Sequence, residues 1–168
     1  MFWILMVMGF IVACVLALIV GGLVTPREHV ATRSRTYRAT PEQVWNAVRD
    51  VGAYAEWRED MIASELLQGS GNEPAVQWRE ISTGGTVTFG IIEEVAPVRM
   101  VARVLDDDLP WGGTWTWEIS ADGDGARLTI TEHGFVGNPV FRFIGTHFIG
   151  FNKTIDSYLR ALGTHLRE

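Results

Sequence analysis

Phe2 to Val24, FWILMVMGFIVACVLALIVGGLV, is a run of 23 residues without one charged side chain. As a helix rising 1.5 Å per residue it is about 34 Å long, enough to cross a hydrocarbon core of about 30 Å. Fourteen of its residues are Leu, Ile, Val or Phe. At a few tenths of a kcal/mol each, their transfer into lipid gains at most about 4 to 8 kcal/mol. A cleaved secretory signal would show a basic n-region, a shorter apolar stretch and a small-x-small cleavage site. Here no Lys or Arg precedes the run, and Gly21-Gly22-Leu23-Val24 closes it without a clear site. The expectation is an uncleaved anchor over residues 1–25 and a ligand-binding domain over 26–168. Arg27, Arg33, Arg35 and Arg38 follow the run, so the positive-inside bias predicts a single-pass membrane protein with its soluble part in the cytoplasm.

The 168 residues carry 14 Lys+Arg against 20 Asp+Glu, a net charge of −6. That balance excludes a phosphate-backbone binder, so no nucleic-acid partner is expected. Apolar residues make up 47% and charged ones 20%, which is enough to build a packed domain rather than a disordered one. The one cysteine, Cys14, lies inside the apolar run. An intrachain disulfide and a cysteine-based zinc site are therefore both excluded.

Beyond Thr25-Pro26, Val30 to Ala39 reads as a first strand. Thr40-Pro41-Glu42-Gln43 has the form of a helix start: Thr40 as N-cap, Pro41 in the first turn, Gln43 closing a capping box. A second short helix is expected over Ala53 to Met61. From Ile62 the apolar period becomes two, predicting strands at 62–69, 75–83, 86–95, 99–106, 112–120 and 126–135. The links are turn-forming: Gly69 to Pro74, Gly84-Gly85, Ala96-Pro97 and Asp122-Gly123-Asp124-Gly125. Short links between consecutive strands make an antiparallel meander. Asn138-Pro139 opens a last helix, whose stripe Val140, Ile144, Phe148, Phe151, Ile155, Leu159, Leu162, Leu166 keeps helical spacing over about 28 residues.

This order resembles the START/polyketide-cyclase-like (SRPBCC) superfamily. The matching pieces are Ala39-Thr40-Pro41-Glu42-Gln43-Val44-Trp45, Tyr54-Ala55-Glu56-Trp57, Glu94-Val95-Ala96-Pro97-Val98-Arg99-Met100, Gly113-Thr114-Trp115-Thr116-Trp117-Glu118 and Gly125 to Glu132, with the long helix closing the chain. They cover residues 30–166, and the N-terminal helix is an addition to the family pattern. The resemblance implies an α+β helix-grip fold: a seven-stranded bent antiparallel sheet wrapped around the long C-terminal helix, with two short helices after the first strand. It also implies an apolar cavity between sheet and helix that takes hydrophobic ligands, and in some members cyclises or dehydrates polyketides.

One parity of each strand should line such a cavity. The apolar parity selects Val87, Phe89 and Ile91, then Trp115, Trp117 and Ile119, then Leu128 and Ile130; the helix adds Phe148, Phe151 and Ile155, with His147 beside them. An aromatic, apolar lining suits a lipid-like or ring-containing ligand, although the same stripes also describe a filled core. Glu132 shares the parity of Leu128 and Ile130. Turned inward, it would have a raised pKa and serve as acid, base or ligand anchor; the strand's end before Gly134 favours a solvated carboxylate instead. Tyr158 is a polar handle or a core residue, and Asp106-Asp107-Asp108 a solvated turn. His29, His133 and His165 have no metal-ligand spacing, and nucleophile elbows and phosphate loops are missing. Neither metal nor cofactor is expected.

The leading expectation is a membrane-anchored domain that binds or transports a hydrophobic small molecule or lipid. The alternatives are a cyclase/dehydratase-like enzyme shuttling protons in the same cavity, and a structural or regulatory membrane protein with a filled core. The sequence leans to a binder rather than an enzyme.

Overall fold

A computed structural model describes residues 2–68, 74 and 76–167. Helix α1 (Phe2–Val24) precedes strand β1 (Glu28–Tyr37), helix α2 (Pro41–Arg49), a 3-10 turn (Val51–Ala53) and the short α3 (Tyr54–Trp57). Strands β2 (Met61–Gln68), β3 (Val76–Ser82), β4 (Gly85–Val95), β5 (Arg99–Val104), β6 (Trp111–Asp122) and β7 (Gly125–Val136) follow. Then come α4 (Pro139–Ile144), a π-helical turn (Gly145–Ile149) and α5 (Asn152–His165). The loop expected at Gly69–Pro74 lies outside the described residues apart from Pro74.

All seven strands join one antiparallel sheet in the order β1-β7-β6-β5-β4-β3-β2. From β2 to β7 consecutive strands are neighbours because the links between them are short, two to seven residues, and β1 closes onto β7 from the other end of the chain. The meander and the helix-grip arrangement are thus as the sequence implied.

The first helix boundary follows from its cap. Thr40 Oγ1 accepts from the Gln43 N–H at 3.3 Å, and Gln43 Oε1 accepts from the Thr40 N–H at 2.9 Å. At the far end, Asn138 Oδ1 accepts from the Val140 and Phe141 N–H groups and starts α4. The core lies between sheet and α5. Ile155, Leu159 and Leu162 pack with Trp117, Ile119, Leu128 and Ile130, and Tyr37 donates to the Leu159 carbonyl across that layer at 2.8 Å.

Two expectations about helices need correction. The second short helix ends at Trp57 rather than Met61, because Arg58 turns extended and β2 begins at Met61. The C-terminal helix is not continuous. Gly145–Ile149 widens into a π turn, and Gly150 takes φ +76°, a conformation that ends a helix and suits glycine. The apolar spacing runs on through the break, so the periodic pattern gave no sign of it. After the break, α5 grips the sheet with the predicted Ile155-Leu159-Leu162 stripe, while α4 lies against the C-terminal end of α1.

Candidate functional site

A cavity of about 350 Å³ opens between the concave face of the sheet and α5. Its walls come from β3 (Trp78, Glu80, Ser82), β4 (Val87, Phe89), β6 (Trp111, Trp115, Trp117), β7 (Glu132, Phe135, Val136) and the helical side (Phe151, Thr154, Tyr158). Apart from Phe135, whose parity is opposite to that of Glu132 and Val136, the alternation of each strand is what aims the strand residues inward. Trp111 and Phe135 are 41% and 39% exposed and form the rim. Trp78 stacks on Phe89 at 5.1 Å, and Trp115 and Trp117 lie tilted 5.8 Å apart, so the walls are largely aromatic.

Of the residues chosen from sequence, Phe89, Trp115, Trp117, Phe151 and Glu132 line this space, as does Val87. Leu128, Ile130 and Ile155 do not: each is fully buried in the packing beneath it. Ile91 is half-buried against the same core. Phe148 is a correction of the opposite kind. It is 75% exposed, and His147, whose ring lies 4.7 Å from Phe143, is exposed too. The physical reason is the π turn, which rotates both side chains off the face that α5 presents to the sheet.

Glu132 points into the cavity, contrary to the solvated position the sequence favoured. Strand β7 runs four residues past it to Val136, held by β1 on one side and β6 on the other. Opposite, Gly113 has φ +142°, and a side chain there would strike the His133 carbonyl, so only glycine lets β6 keep pairing at this point. Burial pushes the Glu132 carboxyl up to about 7, while the Trp115 indole N–H beside it works the other way. His29 lies 3.7 Å from Glu132 Oε1, too far for a direct hydrogen bond. Its ring stacks on Phe151 at 3.6 Å, and both ring nitrogens are buried without a hydrogen-bond partner. Burial lowers the His29 pKa, so both members of the pair are driven toward their neutral forms and do not constitute an ion pair at neutral pH.

The cavity lining also includes a group that sequence reasoning missed. The Arg58 guanidinium donates to Glu80 at 3.0 and 3.1 Å and to Asp60 at 2.8 and 3.3 Å. It also lies over the Tyr54 and Tyr158 rings. Burial opposes its charge, but Glu80 and Asp60 more than compensate and hold its pKa above the ordinary value. Trp78 donates its indole N–H to Glu80 at 3.0 Å, Tyr158 donates to the Tyr54 hydroxyl, and Tyr54 donates to the Val48 carbonyl. Burial raises the pKa of both tyrosines. One signal was available: Trp78 and Glu80 share a parity on β3. Nothing local pairs either with Arg58, which lies 22 residues away from Glu80 in the chain.

Two carboxylates around one guanidinium leave the Arg58 cluster net negative, and Glu132 adds no positive charge. The cavity is therefore unsuited to a phosphate or carboxylate headgroup. It fits an uncharged apolar molecule that presents a carbonyl or hydroxyl to Glu132.

A family model described as "Polyketide cyclase / dehydrase and lipid transport" matches residues 28–167. Among solved structures, the chain is similar to a START superfamily protein from Mycobacterium smegmatis, with 15% identity, TM-score 0.63, and 83% of this chain and 97% of that one covered. It is also similar to the Zhui aromatase/cyclase from Streptomyces sp. R1128, with 16% identity, TM-score 0.65, and coverage of 83% and 94%. Norcoclaurine synthase from Thalictrum flavum matches with 9% identity, TM-score 0.65, and the same coverage of 83% and 94%. At these identities the likeness is one of fold. No curated protein matches the chain.

Proposed function

The chain belongs to the polyketide cyclase/dehydrase and lipid-transport family, and on that premise we propose that it is a membrane-anchored binder or carrier of an uncharged hydrophobic small molecule or lipid. The observation that carries this reading is the aromatic cavity of about 350 Å³, at the lower end of small-molecule sites. Its size also weighs against a filled-core structural role.

The anchor is α1, 23 residues long with mean hydropathy 3.0 and none of its most apolar window buried. A cleaved signal has no reason to pack on the mature domain. Here Gly21 and Gly22 abut Phe143 and Pro139, and Thr25 is buried at the junction, which favours retention. The arginines after the helix support a cytoplasmic domain through the positive-inside bias. Tethering keeps the cavity beside the phase in which an apolar ligand concentrates, raising its effective concentration without new contacts.

The cyclase/dehydratase alternative has one specific observation in its favour. Glu132, with a pKa near 7, is both a proton donor and an acceptor at neutral pH, and it lies against the space a substrate would fill. Its proton would pass to or from a carbonyl or hydroxyl of an enclosed substrate.

The test uses the full-length chain in phosphatidylcholine vesicles and the neutral fluorophore N-phenyl-1-naphthylamine. Saturable binding that quenches tryptophan is expected. Val87→Trp, which projects an indole into the cavity from β4, should abolish it while leaving the far-UV circular dichroism unchanged. Equal binding by the wild-type and Val87→Trp chains would place the probe elsewhere and refute the proposal. Glu132→Gln then separates the two readings: a carrier keeps transferring lipid, and an enzyme loses turnover.

A further inference from the structure

The apolar character of this chain does not stop at Val24. Between His133 and Lys153 the only Asp, Glu, Lys or Arg is Arg142, and it is buried. This stretch forms α4, the π turn and Gly150. It leaves Phe141, Phe148 and Ile149 exposed at 64%, 75% and 62%. Three large apolar side chains on adjacent turns, facing away from the core, mark a contact surface.

The position of α4 identifies the partner. A side chain on Gly22 would run into the Pro139 carbonyl, and one on Gly21 would meet the Phe143 ring at 2.7 Å. Small residues let the two helices approach this closely. Gly21 and Gly22 lie in the last turn of α1, about 3 to 5 Å of helical rise before Val24. In a chain whose α1 spans the bilayer, that level is the edge of the hydrocarbon. Amphipathic segments that lie flat in a membrane bury their apolar face about 5 to 10 Å into the boundary between headgroups and acyl chains, which is the same level.

We propose that Pro139–Gly150 is a second membrane-contacting element. It lies in the lipid interface beside α1 with Phe141, Phe148 and Ile149 inserted. The inference rests on the reading of α1 as an anchor. The partner is the lipid surface itself, engaged by apolar insertion: the segment exposes no Lys or Arg, so an anionic bilayer holds no advantage over a zwitterionic one. The consequence concerns the cavity. Phe135 and Val136 of its rim lie just before Pro139, and Phe151 directly follows Gly150. Docking α4 in the interface turns that rim toward the acyl chains, so a ligand enters from the membrane without crossing water.

The test places single nitroxides on the full-length chain in a Cys14→Ser background, in phosphatidylcholine vesicles. The labelled sites are Phe148→Cys, Ile149→Cys, Met8→Cys within α1, and Asp124→Cys at the far end of the β6–β7 hairpin. Power saturation with oxygen and with a water-soluble nickel chelate reports the environment of each. Sites 148 and 149 should favour oxygen as Met8→Cys does, Asp124→Cys should favour nickel, and admixed phosphatidylglycerol should change nothing. Nickel-accessible labels at 148 and 149 with an oxygen-favouring label at Met8→Cys would overturn the docking and leave the anchor standing. Nickel access at Met8→Cys would overturn both. Labels at 148 shielded from both reagents and broadened by one another would mean that a second copy covers the patch, which also refutes lipid contact. Phe148→Glu, at a site with no core role, should slow vesicle-to-vesicle lipid transfer several-fold, and an unchanged rate would refute the orientation of the rim.

Discussion

Glu132→Gln removes one titration from the chain and leaves its shape nearly intact. The Glu132 carboxyl titrates at about 7 in the folded chain against an ordinary value of 4.5, through burial, with its side chain 22% exposed. Between those two pH values the unfolded chain has lost this proton while the folded chain still holds it. Raising the pH therefore favours the unfolded state, and stability contributed by the protonated form is lost as pH climbs from 4.5 through about 7. At about 1.4 kcal/mol per pH unit the whole loss is about 3 kcal/mol, an upper bound because water reaches part of the carboxyl. Glutamine is neutral throughout and escapes it. Urea unfolding of the full-length chain in detergent, wild type and Glu132→Gln in parallel from pH 4 to pH 8.5, isolates the effect, since titrations common to both chains cancel. His29, whose pKa is lowered by the burial it has in both, cancels with them. The stability of Glu132→Gln relative to wild type should rise with pH by up to about 3 kcal/mol and level off above neutrality. A difference that stays flat across the range would refute an inward, desolvated Glu132, and the proton-shuttling alternative would fall with it.

Arg58→Met leaves Glu80, with its side chain only 15% exposed, without its guanidinium; a loss of about 3 kcal/mol in urea unfolding is expected, and a loss under about 1 kcal/mol would mean the pair is water-screened. Leu162→Ala, at a fully buried site on α5, should cost about 2 to 5 kcal/mol, whereas Phe148→Ala should stay within about 0.5 kcal/mol although both belong to one apolar stripe in the sequence. Comparable losses at the two sites in the same unfolding assay would restore the unbroken helix.

Where a residue's environment is set by its immediate neighbours, the sequence was readable. Thr40 and Gln43 lie three apart, and their reciprocal hydrogen bonds formed as the capping box requires. Strand parity placed Phe89, Trp115 and Trp117 on the cavity wall, because alternation is a property of the backbone itself. Parity also pointed Glu132 inward, and the rule was right where the end-of-strand argument was wrong. What overrode that argument was pairing with β1, which is over a hundred residues away in the chain for Glu28 and Phe135. The Arg58 cluster was illegible for the same reason: its members come from α3's end, β2's approach, β3 and α5, and only the closed sheet brings them together.

The break in the C-terminal helix has a different cause. Apolar periodicity reports that a face avoids water, but it does not say which apolar phase receives it. Val140, Ile144 and Phe148 keep step with Ile155, Leu159 and Leu162, so a single-solvent reading fuses them into one core-facing stripe. With α1 read as an anchor, two acceptors are available, the protein interior and the lipid phase that a helix of this length and apolarity can enter. Gly145 and Gly150, which each weaken a helix by about 1 kcal/mol relative to alanine, are the points at which the stripe can be redirected from one to the other. Gly150 takes the positive φ that permits the redirection, and Gly21 and Gly22 allow the redirected half to lie against α1. Four glycines that look unrelated along the chain therefore act on one joint, the place where the cavity's rim meets the end of the apolar helix.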